Sequence, residues 1–282
     1  MTPDRRLRSL AHFVAARAVD AGIVRGTDEY VPFIVIGWYR TGSNLLLSLL
    51  NSDRSVAAYS EVFSPRGVFW GNRAYRPPGS TTRQMHERTV DAAAFLTRRV
   101  YRPHPTGVSA VGFKLFYPQI TQKAPPGLIE RLLGTPGLRV VHLRRRNLFR
   151  IFLSTRIAKQ TGQMAATSED AVAAAQSALA PFRIAADECA AFFEDIERRA
   201  EECAAVFSGC STLDMAYEEL TSDHIGASNR VRAFLGLPPG ASTTRLVRQT
   251  SASPLFLVTN YEELCEQFSS TRWAPFFDER SQ

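Results

Sequence analysis

Between Gly37 and Asn44 the chain reads GWYRTGSN, with two glycines five positions apart, an arginine between them and polar side chains beside the second. A glycine-punctuated turn lets successive backbone N–H groups point outward, and a helix starting there adds the partial positive charge of its dipole. The stretch therefore has the makings of an anion site, with Arg40 as its full charge. The GxxxxG spacing is that of a nucleoside-triphosphate loop, yet Ser43 and Asn44 stand where that loop carries Lys and then Ser or Thr. The missing lysine weighs against ATP or GTP hydrolysis and leaves a phosphate cradle. Thr41, Ser43 and Asn44 are candidate caps for the helix that follows.

A second group of residues lies in VVHLRRRNLFRIFLST. Arg146 ends an apolar strand, Asn147 starts a helix, and Ser154 follows the arginine by eight positions. A guanidinium fork and a helix hydroxyl can converge on one phosphate; a solvated arginine cluster is the alternative these residues leave open. Lys114 stands inside the apolar strand of VGFKLFY, where a buried ammonium needs a polar partner to reach. His142, in VVHL, reads as a core histidine bonded to the backbone, His86 and His104 show no partner pattern, and His12 and His224 fall in expected surface helices. Cys189, Cys203, Cys210 and Cys265 form no CxxC pair and have no histidine at metal spacing. They suggest neither a metal site nor a disulfide framework, and a reducing cytoplasm fits them best.

These side chains need a scaffold that brings distant strand ends together. PFIVIG is a short β-branched run without alternation, the pattern of a strand buried on both faces, and LLLSLL opens the next helix. Further strands are expected to end near Tyr59, to span about Ala110 to Tyr117 with Pro118 as the stop, and to cover LRVVHLRRR and STLDMA. Helices are expected at about Gln84 to Arg99, over LIERLL, from Asn147 to near Gly162, in Ala-rich pieces over about Glu169 to Phe207 broken at Pro181, from His224 to Leu235, and from near Asn260. Alternating strands and helices predict an α/β, three-layer fold with a central, mostly parallel sheet flanked by helices.

The composition, 45% hydrophobic and 22% charged over 282 residues, suits one domain spanning 1–282. Residues 1–30 read as a basic, amphipathic helical extension able to touch a membrane surface peripherally, since no run approaches the roughly 20 apolar residues of a span. The formal charge of +7 suits an anionic ligand without choosing one. Residues 64–81, rich in Pro and Gly and holding Phe69, Trp70 and Tyr75 just after Phe63, read as an ordered loop over a pocket. Its aromatics either stack on an acceptor or anchor the loop.

Taken together, YRTGSNLL, YSEVF, VGFKLFY, the pairing of Arg146 with Ser154 and VRQTSASPLFLVTNYEEL resemble the sulfotransferase family. Within it they are similar to bacterial carbohydrate sulfotransferases of the trehalose, Nod-factor and lipopolysaccharide type, over Phe33 to about Phe268. The resemblance implies a P-loop-NTPase-like three-layer fold, 3′-phosphoadenosine 5′-phosphosulfate (PAPS) as donor, no metal, and a hydroxyl or amine of a glycan or small molecule as acceptor. It implies that Arg40, Thr41, Gly42, Ser43 and Asn44 hold the 5′-phosphosulfate and that Arg146 and Ser154 hold the 3′-phosphate, with Arg248 and Gln249 closing over the nucleotide. Glu61, just past a strand end beside the turn, is the implied general base, with a salt bridge to a cofactor arginine as the alternative, and Lys114 and Arg40 are placed to neutralise charge on the leaving oxygen.

Two other readings belong to different classes. A small-molecule kinase of P-loop type is disfavoured by Ser43 in the lysine position. A non-enzymatic nucleotide or nucleic-acid binder is disfavoured by basic residues that are scattered rather than gathered in a recognisable module, so no nucleic-acid partner is expected.

Overall fold

The structure is a computed structural model and describes residues 3–72, 74–162, 179–240, 242–244 and 254–278. Strands β1 (Val31–Gly37), β2 (Val56–Tyr59), β3 (Ala110–Phe116), β4 (Arg139–Arg144) and β5 (Ser211–Ala216) form one sheet in the order β2-β3-β1-β4-β5, and every pairing is parallel. Helices α1 (Pro3–Asp20), α2 (Ser43–Leu50), α3 (Thr81–Val90), α4 (Ala92–Phe95), α5 (Tyr117–Thr121), α6 (Leu128–Leu133), α7 (Leu148–Thr161), α8 (Ala186–Val206), α9 (Tyr217–Ser222), α10 (His224–Phe234) and α11 (Tyr261–Phe268) surround it.

The unbroken apolar runs of the strands follow from burial on both faces. Successive side chains of a strand point to opposite sides. In β1, Phe33 and Val35 enter one core with Leu46, Leu47, Leu49 and Leu50 of α2, whereas Ile34 and Ile36 enter the other with Phe149 and Phe193 of α7 and α8. Two cores on one sheet make three layers, as the sequence predicts.

Parallel strands bring their carboxyl ends to one edge, where open α/β sheets bind ligands. Gly37 pairs in register with Phe116 of β3 and Leu143 of β4, so the turn after β1 emerges between the ends of two neighbours. Gly37 has no room for a side chain, since a Cβ would sit 2.4 Å from the Leu143 carbonyl oxygen. Tyr59 pairs with Phe113, and the Lys114 amide donates to the Ser60 carbonyl at 3.4 Å, so the chain leaving β2 passes Lys114.

Two expected boundaries shift. The helix expected over Gln84 to Arg99 is divided at Asp91, whose carboxylate accepts from Ala94 N and caps α4; a single π turn, Leu96–Val100, follows. Pro118 does not simply stop β3 but sits in the first turn of α5, where its missing N–H costs no hydrogen bond. The helix start expected at about Glu169 lies outside the described residues, whereas the break expected at Pro181 is present and the chain is helical again from Ala186. Phe182 bridges to Val258, and the Asn260 side chain bonds the backbone of Ile184 in both directions, so the approach to α8 is held extended. No helix among the described residues is long and apolar enough to cross a membrane.

Candidate functional site

The turn between β1 and α2 is built from two left-handed residues. Arg40 has φ 67° and is the one non-glycine residue with positive φ among those described, and Gly42 has φ 83°. Such a conformation at an arginine is uncommon and is a mark of functional turns. The Thr41 hydroxyl closes the turn by donating to the Trp38 carbonyl at 2.8 Å. Gly42 is obligatory on two counts, because a Cβ there would also meet the Tyr217 ring at 2.6 Å.

The expected side-chain caps of α2 are not formed. Gly42 is the N-cap residue and makes no side-chain capping bond; Thr41 is engaged with Trp38, and Asn44 accepts a hydrogen bond from Lys114 instead. Among the described residues the N-cap of α2 thus makes no side-chain capping bond, a condition in which a helix start can receive an anion.

Arg40 joins this turn to α7, its Nε donating to Ser154 Oγ at 2.8 Å. Burial lowers the pKa of its guanidinium, with Tyr217 acting in the opposite sense. Arg145 donates to the Arg40 carbonyl at 3.4 Å and lies over the Tyr217 ring at 4.3 Å. The two sequence clusters do meet, then, but through Arg40, Ser154 and Arg145. Arg146 turns away to the surface: its guanidinium pairs with Glu219 at 3.1 Å and its backbone N–H faces the Glu218 carboxylate at 3.2 Å. Asn147 caps α7 by accepting from Arg150 N, as its position suggests. Arg248 and Gln249 lie outside the described residues.

On the other side of the turn Lys114 is 2% exposed. Its Nζ donates to Asn44 Oδ1 at 2.6 Å, lies 3.2 Å from Glu61 Oε1, and rests over the Phe116 ring at 5.0 Å. Burial lowers the ammonium pKa; Glu61 opposes this and Arg40 adds to it. Tyr39 belongs to the same corner, its phenol pKa raised first by burial and then by the Glu61 charge. Arg40, Lys114 and Arg145 give the site an excess of positive charge around one carboxylate. The arrangement can hold a polyanion and take a proton beside it.

The aromatics of the loop after β2 anchor it. Phe63, Trp70 and Tyr75 are buried in the core, Trp70 Nε1 donating to Gln84 and the Tyr75 hydroxyl to the Arg54 carbonyl; Phe69 remains exposed. His142 is a core residue, but its partner is a side chain: Nε2 lies 2.6 Å from the Tyr117 hydroxyl, while Nδ1 faces Arg144 at 3.2 Å and Asp214 at 3.6 Å. Burial and, to a smaller extent, Arg144 lower its pKa to about 4 against the pull of Asp214. Tyr39, Arg145 and Tyr217 were not legible as site residues. Arg145 at least shares the arginine run with Arg146, but Tyr217 reaches the turn only through tertiary packing.

A profile of the sulfotransferase family matches residues 32–240. Nodulation protein H of Rhizobium meliloti strain 1021 is 27% identical over 250 residues, 88% of this chain and 95% of that protein. Nodulation protein H of Rhizobium tropici is 26% identical over 249 residues, 88% and 93% of the two chains. A solved sulfotransferase structure from Alicyclobacillus acidocaldarius covers 84% of this chain and 90% of its own, with a TM-score of 0.47 and 15% identity; a likeness at that level carries no inference.

Proposed function

The chain belongs to the sulfotransferase family, and we propose that it moves a sulfuryl group from 3′-phosphoadenosine 5′-phosphosulfate to a hydroxyl of a glycan, glycolipid or small natural product. The observation that carries this reading is the Glu61–Lys114 contact at 3.2 Å beside the uncapped start of α2. It puts a proton acceptor, a buried cation and a set of backbone donors at one strand edge.

The residues present fit such a donor. Backbone N–H groups of the Gly42 to Asn44 turn, which no side chain caps, and the Arg40 guanidinium would hold the phosphosulfate end. Ser154, with Arg146 released from Glu219, would hold the 3′-phosphate, and Arg248 and Gln249 belong to the same proposal. When bound, the donor supplies an activated sulfuryl group on a phosphate leaving group. Glu61 contacts Lys114 through Oε1, which leaves Oε2 to take the proton of the acceptor hydroxyl. Lys114 and Arg40 hold positive charge fixed where negative charge develops on the leaving oxygen, and fixed charge needs no reorganisation during reaction. A cytoplasmic location belongs to the same proposal, which the buried free thiols of Cys189 and Cys203 support.

The test is transfer of label from sulfur-labelled PAPS across a panel of sugars, glycolipids and phenols. Label on a hydroxyl-bearing acceptor is expected. Transfer of phosphate from ATP with no transfer of sulfate would overturn the reading in favour of a kinase.

A further inference from the structure

Helix α3 carries a buried cation that the proposed chemistry leaves unused. Arg88 is 6% exposed and forms no ion pair among the described residues. Its guanidinium bonds instead to backbone: Nη1 donates to the Val62 carbonyl at 2.6 Å and the Gly67 carbonyl at 3.3 Å, and Nη2 donates to the Ser64 carbonyl at 2.6 Å. All three acceptors lie in the turn that Glu61 opens. The Glu61 carbonyl is itself inside that turn, accepting from Phe69 N at 3.2 Å and Ser64 N at 3.3 Å.

The same turn is gripped from a second side. Gln119 of α5 donates to the Phe63 carbonyl at 3.1 Å and accepts from Phe116 N at 2.7 Å, tying the turn to the end of β3, the strand that carries Lys114. Burying a cation without a counter-charge is unfavourable unless hydrogen bonds replace its water. A rigid, planar fork can serve three carbonyls at once, which the single ammonium of a lysine cannot do in the same geometry. An apolar residue would fill the space and leave the Val62 and Gly67 carbonyls without their donor, the Ser64 carbonyl keeping only the Gly67 N–H at 3.1 Å.

We infer that Arg88 is a positioning residue, which fixes the turn over residues 62–67 and so sets where the Glu61 carboxylate stands relative to Lys114. This rests on the reading of Glu61 as the base. In its absence the turn would still fold back over the core through Trp70 and Phe63, but Glu61 would no longer be held at one place.

The experiment compares Arg88→Lys, Glu61→Gln and the double variant, using the fastest acceptor of the panel above, with adenosine 3′,5′-bisphosphate titration and amide hydrogen exchange run in parallel. Arg88→Lys is expected to lower kcat about 10-fold or more while the bisphosphate Kd stays within about two-fold. Exchange should rise over residues 61–69 and not in β1 or β3. The double variant should be no slower than Glu61→Gln alone, because a residue acting through Glu61 adds nothing once Glu61 is gone. Unchanged kcat and exchange in Arg88→Lys, or losses that multiply in the double variant, would overturn the inference. Full turnover in Glu61→Gln alone would show that the base reading had failed and this inference with it. Should Arg88→Lys not fold, Gln119→Ala, which frees the Phe63 carbonyl from the opposite side, must show the same split between kcat and bisphosphate binding.

Discussion

Lys114 and Glu61 stand 3.2 Å apart with opposite exposures, the lysine side chain at 2% and the glutamate at 28%. The cation cannot leave its place in the sheet, whereas the carboxylate opens towards any molecule that enters the crevice. Desolvating a charge offsets much of what an ion pair contributes to folding. The pair is therefore better understood as a fixed charge next to an accessible proton acceptor than as a device for stability.

Glu61→Gln keeps the shape of the side chain and removes the proton acceptor. Turnover on the best acceptor should fall by roughly 10²- to 10⁴-fold, the usual worth of a general base. Bisphosphate binding, measured by calorimetry, should stay within about two-fold.

Lys114→Met replaces the buried ammonium with an apolar chain of similar length. Glu61 keeps its access to water, so no buried charge is left alone, and urea unfolding should register a change of no more than about 1 kcal/mol. Sulfuryl transfer should nevertheless be lost, because the fixed positive charge beside the leaving oxygen is gone. A variant that unfolds, or one that turns over normally, would each contradict this.

Arg146 and Glu219 form an exposed pair at 3.1 Å, and Glu219 also engages Arg230 at 2.7 Å. If Arg146 serves the 3′-phosphate, Glu219 competes with the ligand for it. Arg146→Ala should weaken bisphosphate binding, and Ser154→Ala should weaken it by about 0.5–1.5 kcal/mol. Glu219→Gln should tighten it by no more than about five-fold, since exposed pairs contribute little. Tighter binding in Arg146→Ala would remove the residue from the nucleotide site.

His142 gives the fold an acid-sensitive point. Its folded pKa of about 4 lies below the ordinary histidine value of 6.5, so between those pH values the unfolded chain binds more protons and stability falls as pH falls. Above pH 6.5 the histidine is neutral in both states and contributes no slope. Across the window it should add up to about 1.4 kcal/mol per pH unit. His142→Gln should flatten the pH dependence of urea midpoints between pH 6.5 and 4, and an unchanged slope would refute the assignment.

The layers of the fold were readable because fully buried strands leave apolar runs and α/β units alternate; β1, β2 and β4 needed no more than that, and the half-exposed edge strand β5 was readable from its place in the alternation. The turn at Arg40 and Gly42 was readable from its glycines, and the start of α7 from Asn147. What was not readable depended on contacts made across the fold. The break at Asp91 required knowing that its carboxylate would cap α4, and the missing cap on α2 arose because Lys114, 70 positions away, claims Asn44. Likewise Tyr117 takes His142, and Glu219 takes Arg146, choices that spacing along one segment cannot express. The aromatics of the loop after β2 looked equally suited to an acceptor and to the core, and Gln84 and the Arg54 carbonyl decide for the core.

The most direct test of a sulfonucleotide site between α2, β3 and α7 is a thermal-shift comparison of adenosine 3′,5′-bisphosphate, ATP with magnesium and a duplex oligonucleotide. A ligand that binds only the folded chain stabilises it by about 2.7 kcal/mol at a hundred times its Kd. The bisphosphate should raise the melting temperature, and it should do so less in Ser154→Ala. Stabilisation by magnesium ATP alone, with indifference to the bisphosphate, would contradict the account.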